Sequence, residues 1–551
     1  MPDQEEHLIP FKQLPYQRPD LTQVENQLRR ARLHLRLAMN PESALSAFDD
    51  MQQVQKKYRM ASALARIRAE CPADAAEYAA EIDFFKQADP QFDHQLQQFY
   101  TALLSNRHRP AIENKHGRQL FRKADNFRSL FQPDVMQDLL QEKEIVDQYG
   151  QLLDLKPDQS LQDPDRLLRR QAHLAQDAHL SGLSGQLDDQ FAQLILCRKQ
   201  IAARLGFASF SDLAYRRLER FDYGREHLET VRSTVLRYIV PLTREVRHLQ
   251  RRRLKVEHLA WYDLPCLLPE GKPQLQVDDG ALIRLIDDIL TKLSGQSPSV
   301  VRQMQDGGYL IFETEKSARN GYAFTVLPQA LPHLVVPLDR SGRDAAMLLQ
   351  AAGVAYALEC NVTQAILEYL PAPEIQLFTG YAMVYLAMPF LEPAFGTGHD
   401  DYVLLRLTEA LLAMPYDCMV DDFEHRIYDK GDLSTDQLNK IWQELERLYI
   451  PDLDYEQAPY FTSGRGWQTE PHLWHAPHSR INRVLSQLTA LDLWRVSRNN
   501  PAAAWRRYDK LCTLGGSDAM PGLLQQAGLA SPFDPDTIKK AAYAVCDNLA
   551  L

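Results

Sequence analysis

Apolar residues recur at three- and four-residue steps through most of this chain. Leu21, Val24, Leu28, Ala31 and Leu35 fall on one face of a helix at that spacing. Asn40-Pro41-Glu42-Ser43 stops one helix and starts another, with Pro41 suited to a first turn. The periodicity runs on to about Tyr149, with a helix expected from Asp74 through Phe85 and a further one after Pro90. Long amphipathic helices joined by short turns predict an antiparallel helical array. From Leu152 to Leu187 the pattern weakens: KPDQSLQDPD reads as loop, and HLSGLSGQ has the Gly/Ser spacing of a connector. A boundary is expected here, between a helical domain over 1–185 and a second over 186–551. Helical periodicity resumes at Asp189. Gly308 to Leu338 holds three short runs, GYLIFETE, GYAFTVLP and HLVVPL, rich in β-branched and aromatic residues and predicted as strands. The expected fold class is mainly α, with a small β-sheet.

One stretch breaks the amphipathic habit. Asp344 to Leu358, DAAMLLQAAGVAYAL, is apolar all round and predicts a helix buried on every side.

Composition narrows the functional classes. The 551 residues are 45% hydrophobic and 25% charged, ordinary for a globular protein with an ample core. A net charge of −11 argues against nucleic-acid binding. The one dense basic cluster, Arg251-Arg252-Arg253 with Lys255, reads as a solvated helix face. Seven scattered cysteines without a C-x-x-C pair suit free thiols in a reducing compartment. The opening MPDQEEHLIPFKQ lacks an apolar signal core, and no run approaches the roughly 18 apolar residues of a membrane span. A cytoplasmic protein with no membrane partner is expected.

A series of short motifs, in order, carries a resemblance. They are LPYQRPDL near the start; Arg198-Lys199-Gln200-Ile201-Ala202 with Leu205-Gly206-Phe207; Arg220-Phe221-Asp222-Tyr223; Asp421-Asp422-Phe423 with His425 and Tyr428; and, near the end, Leu523-Leu524, Ala527-Gly528 and Ser531-Pro532-Phe533-Asp534. Together they resemble the oligoendopeptidase F branch of the thimet-type zinc metallopeptidases over about 500 residues. The resemblance implies an elongated, mostly helical fold with a central channel and a small sheet beside the active-site helix.

That helix in the family carries D-x-x-T-L-x-H-E-x-G-H-A. Asp344, Leu348, Gly353 and Ala355 fit the frame. The two zinc-binding histidines fall on Gln350 and Val354, and the general-base glutamate on Ala351. Two histidines four apart share one ion, and the glutamate beside the first takes the proton of the bound water. An amide, a methyl and an isopropyl group do none of this. The resemblance places the third ligand, in an E-[IV]-x-S run, on Glu374. Of the family's downstream H-x-F-x-x-P-F-Y-Y-x-x-Y, His472 and Pro477 remain, whereas His478, Ser479, Arg480 and Arg483 stand where a phenylalanine and tyrosines are usual. The family's glycine-rich substrate loop corresponds to Asn320-Gly321-Tyr322-Ala323.

The expectation is a catalytically inactive pseudopeptidase with no catalytic residue and no zinc or other cofactor. It would bind a peptide or a protein partner, such as an active relative, through channel residues Tyr322, His472 and Arg480. Two alternatives stay open: an active peptidase with displaced ligands, for which His472, His475 and His478 are a replacement metal site to consider, and a purely structural interaction module.

Overall fold

A computed structural model of the chain describes residues 9–70, 75–153, 161, 165–295, 300–313, 323–325, 332–337, 340–361 and 367–549. The N-terminal array comprises α1 (Leu21–Leu37), α2 (Pro41–Glu70), α3 (Ala75–Leu104), α4 (Arg109–His116), α5 (Arg118–Ser129) and α6 (Met136–Leu152). Then come α7 (Arg166–Arg204), α8 (Phe210–Arg217), α9 (Arg225–Thr234), α10 (Val240–Leu254), α11 (Asp279–Ser294) and α12 (Val300–Asp306). Three strands follow, β1 (Leu310–Glu313), β2 (Ala323–Thr325) and β3 (His333–Pro337). The C-terminal part holds α13 (Gly342–Cys360), α14 (Pro373–Ala387), α15 (Glu392–Phe395), α16 (His399–Asp429) and α17 (Thr435–Tyr449). It closes with α18 (Pro459–Thr462), α19 (Pro471–His475), α20 (Arg480–Ser497), α21 (Pro501–Leu514), α22 (Met520–Ala527) and α23 (Pro535–Leu549).

The mainly α expectation holds, and the three predicted strand runs form one sheet in the order β1-β3-β2. β1 runs parallel to β3, Leu310 opposite Leu334, and β2 runs antiparallel to it, Phe324 opposite Leu334. Two readings of the chain are corrected. Pro90 does not separate two helices; it lies inside α3. Phe85, Ala88, Phe92, Leu96 and Phe99 continue one buried stripe across it, so packing outweighs the hydrogen bond that proline forfeits. The Gly/Ser-spaced HLSGLSGQ is not a connector but the middle of the 39-residue α7. Leu180, Leu187, Phe191 and Leu194 carry a helical stripe through it, and this burial offsets the roughly 1 kcal/mol that each helical glycine costs. Residue 185, the expected domain boundary, therefore falls within one unbroken helix.

Buried apolar side chains form two clusters. The smaller is built from α1 to α5, with Leu35, Phe48, Phe85 and Phe99 at its centre. The larger joins α7, α13, α14, α16 and α20. α13 is buried from Gly342 to Leu358 on nearly every side, as its all-apolar sequence requires. A Cβ on Gly353 would come within 2.4 Å of the Thr379 carbonyl oxygen, so only glycine lets α13 approach α14 this closely. The Tyr508 hydroxyl reaches both backbones there, 3.2 Å from the Gly353 carbonyl oxygen and 3.1 Å from that of Thr379. Asp344 fixes the start of α13 by accepting the Arg340 backbone N–H at 2.7 Å. Among the described residues no helix is long and apolar enough to cross a membrane.

Candidate functional site

A cavity of about 830 Å3 opens beside α13. Each helix around it contributes one face at helical spacing. α13 gives Arg343, Ala346, Met347 and Gln350; α14 gives Pro373, Leu377, Tyr381, Val384 and Tyr385. α16 adds Arg406, Glu409, Ala413 and Asp417, and α20 adds Asn482, Arg483 and Gln487. Arg247 of α10, Lys272 of the following loop and His472 of α19 complete the charged wall.

Gln350, at the first histidine position of the family frame, therefore faces open space. The rest of that frame is hydrocarbon in the core: Ala351 is 3% exposed and Val354 is 8% exposed. Glu374 is buried, 1% exposed, and is not among the residues lining the cavity. Its Oε1 accepts the Tyr223 hydroxyl at 3.0 Å, and its Oε2 has no hydrogen-bond partner. Burial pushes its carboxyl up, against the opposing pull of Arg220 and the Tyr223 bond.

His472 does line the cavity. Its Nδ1 lies 2.8 Å from Glu470 Oε1 and 3.1 Å from an Arg480 nitrogen. Burial raises Glu470, but the His472 bond and Arg480 outweigh it and hold the carboxyl down at about 2. Arg480 stands one layer behind the wall. Its guanidinium pairs with Asp417 at 2.6 Å and covers the Tyr416 ring at 5.3 Å, so it holds a wall carboxylate. Arg483 reaches the same carboxylate at 3.3 Å. Tyr322 lies outside the described residues.

His472, His475 and His478 do not converge. His475 packs against the Tyr149 ring on another surface, and His478 is fully buried. Among the described residues, the three-residue set with ligand-type atoms in mutual reach is instead Asp421, His425 and His478, all within 4.8 Å. None of the three lines the cavity. Most of their capacity is already used. Arg232 pairs with Asp421, His425 Nδ1 lies 2.7 Å from the Asp421 carbonyl oxygen, and the Tyr215 hydroxyl lies 2.7 Å from His425 Nε2. Ser211 Oγ lies 3.1 Å from His478 Nε2. Burial drives the His478 imidazole down to about 3, so it stays neutral near pH 7. His478 also adopts a left-handed backbone, φ 60°, fixed at both ends: its N–H donates to Glu424 at 2.7 Å, and its carbonyl accepts from Arg220. This is a packed ion-pair node between α8, α9 and α16, with Arg232 supplying the cation.

Residues 11–131 match the family model for the Peptidase M3 N-terminal domain. The chain is 27% identical to a PZ peptidase A solved with an inhibitor, covering 98% of this chain and 99% of that one, with a TM-score of 0.92. It is 28% identical to a structure assigned as oligoendopeptidase F, covering 98% and 100%, TM-score 0.92. Another so assigned, from Bacillus anthracis str. Ames, is 26% identical, covering 98% of each chain, TM-score 0.88. The fold is that of the oligoendopeptidase F-like peptidases. Among curated proteins no sequence matches.

Several wall residues carried no sequence signal. Arg247 sits in a basic helix whose more exposed end, Arg251 and Arg252, reads as solvated, and both of those are exposed. Tyr381 and Asp417 lie on apolar helices where only an i, i+4 count from Leu377 or Ala413 would have put them on the cavity face.

Proposed function

We propose that this oligoendopeptidase F-like chain is a pseudopeptidase: it holds a peptide, or an extended segment of a protein partner, in the α13 cavity without hydrolysing it. The observation that carries this reading is the make-up of α13. Of the two histidine positions and the base position, the one that faces the cavity holds an amide, Gln350, and the other two are the buried hydrocarbon of Ala351 and Val354. Zinc hydrolysis requires three protein donors, an open position for water and a base. The side chains here do not fit a zinc ion. Val354 offers no donor, Ala351 offers no base, and the Glu374 carboxyl is held by Tyr223.

A peptidase with displaced ligands is poorly supported, because among the described residues the one converging donor set, at Asp421, His425 and His478, lies off the cavity wall around an arginine. A purely structural module is poorly supported because space remains beside Gln350. That space is lined by apolar residues interleaved with polar and charged ones, which suits an extended peptide.

Anisotropy titration of dye-labelled peptides against the full chain tests the reading, followed by mass analysis of the peptide. Saturable binding, loss of binding on filling the cavity by Ala346→Trp, and recovery of intact peptide are expected. Chelator-sensitive cleavage, or no peptide binding at all, overturns it.

A further inference from the structure

The cavity wall has a charge balance opposite in sign to that of the whole chain. The whole chain carries a net −11. On the wall stand five basic residues, Arg247, Lys272, Arg343, Arg406 and Arg483, and two acidic ones, Glu409 and Asp417. Both carboxylates are engaged. Arg406 holds Glu409 at 2.6 Å, and Arg480 and Arg483 share Asp417.

Among the described residues Arg247 has no such partner. Its Nη1 donates to Gln250 Oε1 at 2.6 Å and to the Leu264 carbonyl oxygen at 2.9 Å. Both acceptors are neutral. Burial is the sole influence on its ionisation and lowers it to about 10, which leaves the guanidinium charged near pH 7. A half-buried guanidinium with no counter-charge is a costly arrangement in a finished core. Here it borders open space, fixed from one side by two acceptors, with its planar fork suited to a carboxylate.

We propose that the cavity takes a peptide bearing a carboxylate, either an acidic side chain or the peptide's own C-terminus, and that this carboxylate pairs with Arg247. The inference rests on the peptide-holding reading and adds the chemical class of the ligand. Apolar flanking residues of the peptide would lie on Met347, Leu377 and Val384, which share the wall.

Three dye-labelled hexapeptides of one otherwise neutral sequence test it: one Glu with an amidated C-terminus, Gln in its place with an amidated C-terminus, and Gln with a free C-terminus. At least one carboxylate peptide binds the natural chain roughly tenfold more tightly than the neutral one, as expected for a charge-assisted bond. Whichever of the two binds names the source of the carboxylate. Arg247→Gln brings the three peptides within about twofold of one another, and Arg247→Lys keeps part of the difference. If Arg247→Gln does not fold, the peptide series on the natural chain and on Arg247→Lys still decides. Equal binding of all three peptides by the natural chain overturns this inference and leaves the peptide-holding reading standing. So does a preference that survives Arg247→Gln. Failure of every peptide to bind overturns both.

Discussion

The Tyr223 hydroxyl donates to the Glu374 carboxyl at 3.0 Å, deep in the core. The resemblance sets Glu374 at the family's third metal-ligand position; in this structure its Oε1 accepts from a tyrosine and its Oε2 has no hydrogen-bond partner. Removing the donor leaves a buried acceptor unpaired, at about 1–3 kcal/mol. Tyr223→Phe therefore lowers stability by that amount in urea unfolding. Glu374→Gln keeps an acceptor in place and removes a buried acid, so it costs less than Tyr223→Phe. The reverse order contradicts the assignment.

Gly353 and Thr379 set how near α13 comes to α14. A methyl group 2.4 Å from a backbone oxygen must push the helices apart. Gly353→Ala is expected to cost about 1–3 kcal/mol by overpacking, despite alanine's better helix propensity. It should also weaken peptide binding, because Gln350 and Tyr381 on the cavity wall ride on these two helices. A neutral or stabilising outcome in thermal unfolding contradicts the close approach.

Arg232 supplies the positive charge at the Asp421, His425 and His478 node. Breaking a buried pair from one side leaves an uncompensated charge, worth about 3–5 kcal/mol. Arg232→Ala is expected to lose that much in urea unfolding. Added zinc is expected not to raise the natural chain's thermal stability through this node, because Arg232 already supplies a cation at Asp421 Oδ2 and would repel a second one. A zinc-dependent rise in melting temperature that His478→Phe abolishes would show the node to be a metal site.

Glu470 gives a pH dependence with a definite sign. Its folded value, about 2, lies below the 4.5 of a free glutamate. The stability it contributes is therefore present above pH 4.5 and is lost as the pH falls toward 2. The contribution is about 3 kcal/mol from a shift of this size. Urea unfolding of the natural chain should weaken on going from about pH 6 to pH 3 by more than that of Glu470→Gln. Equal slopes contradict the role given to His472 and Arg480.

Much of the fold was legible because helices of this length carry their own pattern. The apolar stretch 344–358 became a helix buried on every side except at Gln350, and the β-branched runs became the three strands. Local punctuation misled at Pro90 and at the glycines near 182–185, where tertiary burial of a long stripe overrode local preference. At the site, the placement of Gln350 and His472 on the cavity wall agrees with a channel beside this helix. The destination of Glu374 was not legible, since its partner Tyr223 is 151 positions away. Nor was the separation of His472, His475 and His478, because it depends on a left-handed residue that turns His478 into the core.

α13 carries Gln350, Ala351 and Val354 at the positions that the resemblance gives to the zinc histidines and the base, and is expected to hold no zinc. Metal analysis by plasma mass spectrometry, on full-length chain purified without chelator and then dialysed against dilute zinc, tests this most directly. The expected result is zinc at the level of the dialysis buffer, unchanged by Gln350→Ala or Glu374→Ala. One equivalent of zinc per chain, lost in either variant, contradicts it.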